Sequence, residues 1–277
     1  MECVKRQRVK YKRVIWAGLI MGKRLKEALA QGKLVRVFGL GQLCHPKFVD
    51  IIGMHGGYDA VWLDQEHAGL STAQIEHACL AARASGLDSF VRLAPTDYAT
   101  VMRPLEAGAG GVMAAQVRSA AQAEDVMQWC KFYPRGLRGV NGSGVDGRYA
   151  TVPMPDYMKR ANDETFVAIQ IEHIGAVEDV EKIAALKDVD VLFIGPADLG
   201  QSMGIVGDWE HPKIWQAIER VAKAAKASGI HWAILPRNLA YAKRCVDLGC
   251  RMLSVGLDTW TIQRGLKAFL TEFESLS

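Results

Sequence analysis

The stretch YDAVWLDQEH, residues 58–67, runs apolar through Ala60, Val61, Trp62 and Leu63. It then breaks into Asp64, Gln65, Glu66 and His67. A histidine beside a carboxylate is the usual form of a general base tuned near neutrality, so His67 is expected to move a proton while Asp64 orients it. Three further apolar runs break in the same way, at Arg92, at Gln170 with Glu172, and at Asp198 in the loop IGPADLG. Glu172 and Asp198 are the natural metal pair. Two hard carboxylates without a cysteine or a clustered histidine suit Mg²⁺ or Mn²⁺, with water and substrate oxygens completing the shell. Arg92 would be a fixed bidentate donor for a substrate anion. The turn after Gly195 offers backbone N–H groups to a carboxylate or phosphate. Each residue also has a structural role open to it: Asp198 as a helix cap, Arg92 paired with Glu66, His67 as a supporting side chain. Taken together the set describes metal-assisted enolate chemistry on a 2-oxo acid. A Schiff-base route would need a desolvated lysine, and no expected strand end carries one.

Polar groups at the ends of apolar strands belong at the carboxyl rim of a parallel sheet. The spacing predicts a helix over about 23–31, a strand over 34–41, a helix in PKFVDIIGMHG, the DQEH strand, and a helix opened by a Ser71/Gln74 capping box. A third strand ends at Arg92. Residues 97–107 read as a helix that Pro104 should kink or shorten. A fourth strand is GGVMAAQV, and Ser119 and Gln122 cap a helix to Cys130. Residues 134–165, rich in Gly and Pro, read as a long irregular cover. Alternation resumes with TFVAIQIEH, a helix over 174–186, the strand and loop VDVLFIGPADLG, and a helix over 211–228. IHWAIL, a helix over 238–248, CRMLSVG and a helix from Asp258 to about Glu274 complete the chain. Eight strand-then-helix units are the arithmetic of a (β/α)₈ TIM barrel. An open doubly wound sheet would want a glycine fingerprint after the first strand, and GLGQLCHP is not one.

The chain has 277 residues and a formal charge of +4. Residues 1–24 hold eight Lys/Arg against Glu2, or +7, so the remainder holds 26 basic against 29 acidic residues, or −3. Residues 1–22 are expected to form a basic extension, disordered or an added helix, and 23–277 a single barrel domain. The body carries no basic cluster in its sequence, and neither a nucleic-acid nor a membrane partner is expected. VIWAGLIMG is too short to span a bilayer and lacks a clear cleavage site. Six cysteines without metal spacing suit a reducing, cytoplasmic setting.

In order along residues 24–272, the motifs LDQEH, FVRLAP, YPRGLRG, IQIEH, FIGPADLG and SVGLDT resemble the HpcH/HpaI aldolase family. The resemblance implies a class II pyruvate-dependent aldolase on a TIM barrel of the phosphoenolpyruvate/pyruvate type. Such enzymes cleave a 4-hydroxy-2-oxo acid or 2-keto-3-deoxy acid, in aromatic or sugar-acid catabolism, to pyruvate and an aldehyde. It implies that Glu172 and Asp198 bind Mg²⁺, Mn²⁺ or Co²⁺, and that Gln170 with the main chain at Ala197 and Asp198 holds pyruvate. It further implies that Arg92 stabilises the enolate, that His67 with Asp64 serves proton transfer, and that Leu235 lines the aldehyde side. A homo-oligomer, trimer or hexamer, is implied, its last helix packing on a neighbour through Ile262, Leu266, Phe269, Leu270 and Phe273. The alternative is a CoA-ester lyase of the citrate lyase β or malyl-CoA type, which needs a cationic surface for the CoA phosphates. The chain departs from the family pattern at MAAQV, where Gln116 falls at a position some members give to histidine, at Leu93-Ala94-Pro95, and in the glycine-rich NGSGVDGRY. All three lie toward the aldehyde side.

Overall fold

A computed structural model describes residues 23–276. The expected basic extension over 1–22 lies outside the described residues. Helix α1 (Lys23–Ala30) is followed by β1 (Val35–Leu40), α2 (Pro46–His55), β2 (Ala60–Asp64), α3 (Thr72–Ala84), β3 (Asp88–Leu93), α4 (Tyr98–Glu106), β4 (Gly111–Ala114) and α5 (Ala120–Cys130). Then come α6 (Met154–Glu164), β5 (Phe166–Ile171), α7 (Ile174–Glu178), α8 (Val180–Ala184), β6 (Val191–Ile194) and α9 (Pro196–Ser202). The last elements are α10 (Pro212–Ser228), β7 (His231–Ile234), α11 (Leu239–Asp247), β8 (Met252–Leu257) and α12 (Asp258–Glu272). The strands are parallel and close in chain order into an eight-stranded barrel, as the alternation predicts.

Period-two alternation divides each strand between two cores. Val61, Leu63, Val91, Val112, Ile169 and Leu192 point outward into the layer beneath the helices. Val37, Ala60, Trp62, Phe90, Ala168 and Phe193 point inward and fill the barrel. Leu25 and Leu29 of α1 join that inner cluster, so α1 stoppers the N-terminal end. Its Leu25 N–H donates to Asp88 Oδ2 at 2.7 Å.

Three local expectations are corrected. The Gly/Pro-rich stretch over 134–165 contains α6, whose Pro155 sits in the first turn where the missing N–H costs nothing, and which buries Tyr157 and Asn162. The helix expected over 174–186 is two short ones broken at Asp179. That carboxylate accepts from the Ala120 N–H at 3.0 Å and pairs with Lys182 at 2.7 Å. The loop expected after the sixth strand turns straight into α9. The Ser71/Gln74 capping box is present, and Ser119 caps α5. On α12 and its C-cap Phe273 the five expected apolar residues are all exposed, Leu270 at 76%.

Candidate active site

The inward parity that brings Ala60 and Trp62 into the barrel also brings Asp64 there, one step beyond. On β3 it carries Phe90 to Arg92, and on β5 it carries Phe166 and Ala168 to Gln170 and Glu172. Asp64 and Arg92 are register partners on adjacent strands. Arg92 grips Asp64 with both ends of its fork, Nε to Oδ1 at 3.0 Å and Nη2 to Oδ2 at 2.6 Å. Its guanidinium carbon lies 4.7 Å from the centre of the Trp62 ring, which is pinned by an indole N–H donated to Ser254 Oγ at 2.9 Å. Arg92 Nε is also 3.5 Å from Glu66 Oε2. The guanidinium is thus fixed on two edges and one face.

Glu172 is 2% exposed. Its Oε1 accepts from the Gln116 backbone N–H at 2.7 Å, and its Oε2 accepts from the Gln170 amide. Burial, and after it the negative charges of Glu66 and Asp198, raise its pKa to about 7, against the lowering pull of the Gln116 N–H and Arg92. Asp198, half-buried in the first turn of α9, is brought close enough to act on it. Gly195 lets this happen. A Cβ there would lie 2.6 Å from Glu172 Oε2 and 2.8 Å from Gln170 Nε2, so only glycine lets β6 pass so near the carboxylate. Gln170 Oε1 and Glu66 Oε2 are buried without a hydrogen-bond partner. Four carboxylates against one arginine, with orphaned buried oxygens among them, suit a hard divalent cation. Among the described residues no group of three or more His, Cys, Asp or Glu forms a preassembled cage. Glu172 and Asp198 would therefore share a cation with water and substrate.

With barrel, rim and acid cluster in place, the chain can be set beside known proteins. Residues 42–264 match the HpcH/HpaI aldolase/citrate lyase family. The chain belongs to that family. It is 31% identical over 253 residues to the 4-hydroxy-2-oxo-heptane-1,7-dioate aldolase of Salmonella arizonae, covering 91% of this chain and 95% of the relative. It is 31% identical to the hydroxypyruvate/pyruvate aldolase of Pseudomonas aeruginosa, covering 91% and 92%. The HpcH/HpaI aldolase from Desulfitobacterium hafniense DCB-2 superposes with a TM-score of 0.82 at 34% identity, over 89% of this chain and 96% of that one. The aldolase expectation is borne out, and the chain stands among carbon–carbon lyases; citrate lyases share the family.

Within this family frame the mouth brings together Asp64, Arg92, Gln170, Glu172 and Asp198. Leu235, one residue past β7, packs against the inner cluster at the same end. Ala197 is exposed at the start of α9. His67 sits differently from expectation. Asp64 does not orient its ring: both Asp64 oxygens serve Arg92, and what Oδ1 accepts from His67 is its backbone N–H, at 3.2 Å, as it accepts that of Glu66. The ring's acidic neighbour is Glu66, 3.7 Å from Nε2, and the side chain is 59% exposed. Sequence reasoning also passed over three contributors. Glu66, which the sequence places at the rim and offers to Arg92, also stands beside His67 and accepts from Gln116. Gln116 was seen only as a departure, yet its backbone at φ 56° turns its N–H onto Glu172 while its amide donates to Glu66 Oε1 at 3.2 Å. Asp258 accepts from the N–H groups of Gly41 and Leu43 at 2.8 and 2.7 Å, latching the loop after β1 to the last helix.

Proposed function

We propose that the chain is a divalent-metal-dependent aldolase that cleaves a 4-hydroxy-2-oxo acid to pyruvate and an aldehyde. One observation carries the reading: at the open end of the barrel a glutamate, Glu172, is pushed toward neutrality by its burial and then by the charges of Glu66 and Asp198. Four acids there face the single guanidinium of Arg92, so the cluster is short of positive charge. Glu172 and Asp198 would hold a cation such as Mg²⁺, Mn²⁺ or Co²⁺, which when bound supplies Lewis-acid polarisation of the 2-oxo group. Gln170, whose Oε1 is unpartnered, and the amides at Ala197 and Asp198 orient the keto acid. Arg92, already fixed by Asp64 and Trp62, offers its remaining N–H edge to the negative charge that develops on the keto oxygen. His67, exposed at the rim, takes the proton of the 4-hydroxyl as the carbon–carbon bond breaks, and Glu66 beside it steadies the imidazolium. Leu235 gives the departing aldehyde an apolar wall.

A lysine route finds no support in the fold. The buried lysine with a lowered pKa, Lys131 at about 8, follows α5 at the other end of the barrel and donates to the carbonyls of Asn162 and Thr165. No helix of the described residues is long and apolar enough to cross a membrane, and a cytoplasmic homo-oligomer joined through the exposed face of α12 is part of the same proposal. The test is pyruvate release from a 4-hydroxy-2-oxo acid before and after chelation, in the wild type and in Glu172→Gln. Loss of turnover on chelation, restored by Mg²⁺ or Mn²⁺ in the wild type only, is expected. Full activity in a metal-stripped sample overturns the mechanism. Saturable CoA binding with no pyruvate release would favour the CoA-ester lyase instead.

A further inference from the structure

The sequence shows no basic cluster in the body of the chain, but the fold builds one. At the N-terminal mouth, opposite the acid-lined rim, the segment between α5 and α6 closes over a cavity of about 80 Å³. That is several times the roughly 10–15 Å³ one water needs. Four arginines from three separate stretches line it: Arg83 at the end of α3, Arg138 and Arg148 from the segment, and Arg160 on α6. The carboxylates lining it are two, Asp146 and Glu164, and each has an arginine beside it. Asp146 pairs with Arg138 and accepts from the Tyr157 hydroxyl at 2.6 Å, while Glu164 lies 3.8 Å from Arg160. The lining is therefore two positive charges in excess.

Two observations point to an anion as the ligand of this cavity. The Arg138 side chain is 1% exposed, and its Nε–H has no acceptor although that atom is fully buried. A buried charge-bearing donor left open is costly unless something fills it. Secondly, the backbone spends conformational strain on placing Arg148. Arg148, Tyr149 and Ala150 lie at φ 52°, 53° and 59°, three consecutive side-chain-bearing residues in the left-handed region. The bend is tied by N–H groups of Arg148 to Val145 O at 3.0 Å, Tyr149 to Gly144 O at 2.9 Å and Ala150 to Gly142 O at 2.7 Å. It sets Arg148 against Arg160, where burial and then the Arg148 charge lower the Arg160 pKa. Like charges crowded this way favour an occupant that neutralises both.

We propose that this cavity binds a compact dianionic oxyanion, a phosphate group, held by Arg148, Arg160 and Arg83 above the buried Arg138. The phosphate comes either free or as the head of a small phosphomonoester. Guanidinium forks match such an oxyanion bidentately, and its double charge balances the excess. The site is separate from the catalytic mouth, so it stands whether or not the proposed reaction does.

The experiment is calorimetric titration of the full-length protein with inorganic phosphate and, separately, with glycerol 3-phosphate, at constant ionic strength. The variants are Arg148→Gly, Arg83→Ala and Arg92→Ala. Arg148→Gly suits the left-handed backbone, so it removes the guanidinium without threatening the fold. One site per chain is expected for at least one of the two ligands, and the tighter ligand identifies the source. Arg148→Gly and Arg83→Ala should each weaken it about tenfold or more, the loss of one charge-assisted hydrogen bond. Arg92→Ala should leave it unchanged. No saturable binding of either ligand overturns the proposal. So does binding that survives Arg148→Gly and disappears in Arg92→Ala, which would locate the anion at the catalytic mouth.

Discussion

At the C-terminal mouth Asp64, Glu66, Glu172 and Asp198 face one arginine, Arg92; at the N-terminal mouth Arg83, Arg138, Arg148 and Arg160 face Asp146 and Glu164. The first set stands largely on strands or at their ends, where register decides who meets whom: Asp64 opposes Arg92 because β2 and β3 pair at those residues. The second set stands on helix ends and a long connection, where local backbone hydrogen bonds and the cluster's own ion pairs, rather than strand register, hold the charges in place. A charge on a strand end is positioned by the whole barrel and can serve chemistry that tolerates little movement. A charge on a loop is positioned by its own turn and suits binding. The same barrel supplies a rigid acidic end and a more local basic one.

The largest expected effect comes from breaking the register pair. Asp64 and Arg92 have side chains only 11% and 14% exposed, and removing one partner of a buried ion pair strands the other. Arg92→Ala should cost about 3 kcal/mol of stability and about 10²–10³ in turnover. The double variant Asp64→Ala/Arg92→Ala should recover most of the stability and none of the turnover, since it no longer leaves a carboxylate unpaired. Thermal melts and pyruvate release on the three proteins decide the matter. A single variant as stable as the wild type would mean that register does not carry the upper mouth.

Next comes the lower mouth, probed through Lys131. It is fully buried, with carbonyls of Asn162 and Thr165 as its partners, and burial, then the Lys26 charge, lowers its pKa to about 8. Between about pH 8 and 10.4, the ordinary lysine value, the unfolded chain keeps a proton that the folded chain sheds. This group's contribution to stability therefore rises with pH across that window and is flat outside it. The gain is on the order of 3 kcal/mol. Buried thiols such as Cys79 and Cys130, pushed up to about 12, act in the opposite direction. The measurement is thus the difference between wild type and Lys131→Met in urea melts at pH 7.5 and pH 10. If the difference does not change with pH, the lower mouth holds its lysine in a far wetter site than the geometry implies.

The same contrast explains what could be read from the sequence. Strand-end chemistry was legible because an apolar run broken by Asp64 or Glu172 has one sensible place in a parallel barrel, and period two then fixes which side chains share the interior. Residues 134–165 resisted because Gly and Pro density hides a helix whose proline sits in its first turn. The basic recess was illegible for a different reason: Arg83, Arg138, Arg148 and Arg160 are scattered over nearly eighty positions and meet only when the barrel closes. Gln116 gave no sign of its role, since the N–H that reaches Glu172 depends on a positive φ no glutamine advertises.

The smallest structural effect should come from the one expected catalytic side chain that the barrel does not grip. His67 is 59% exposed, with Glu66 Oε2 at 3.7 Å as its acidic neighbour. Its replacement leaves no buried group unpaired, so His67→Ala should change stability by no more than about 0.5 kcal/mol. If the ring carries the hydroxyl proton, turnover should still fall about 10²-fold, while affinity for pyruvate, which lacks that hydroxyl, stays where it was. Glu66→Gln separates the histidine's charge from its geometry, because the amide keeps the Gln116 contact to Oε1 but cannot stabilise an imidazolium. Turnover should then fall, by less than in His67→Ala, since the imidazolium formed in the step has lost its carboxylate neighbour. Unchanged turnover in Glu66→Gln would detach His67 from Glu66, and unchanged turnover in His67→Ala would leave the upper mouth with no base of its own at the rim.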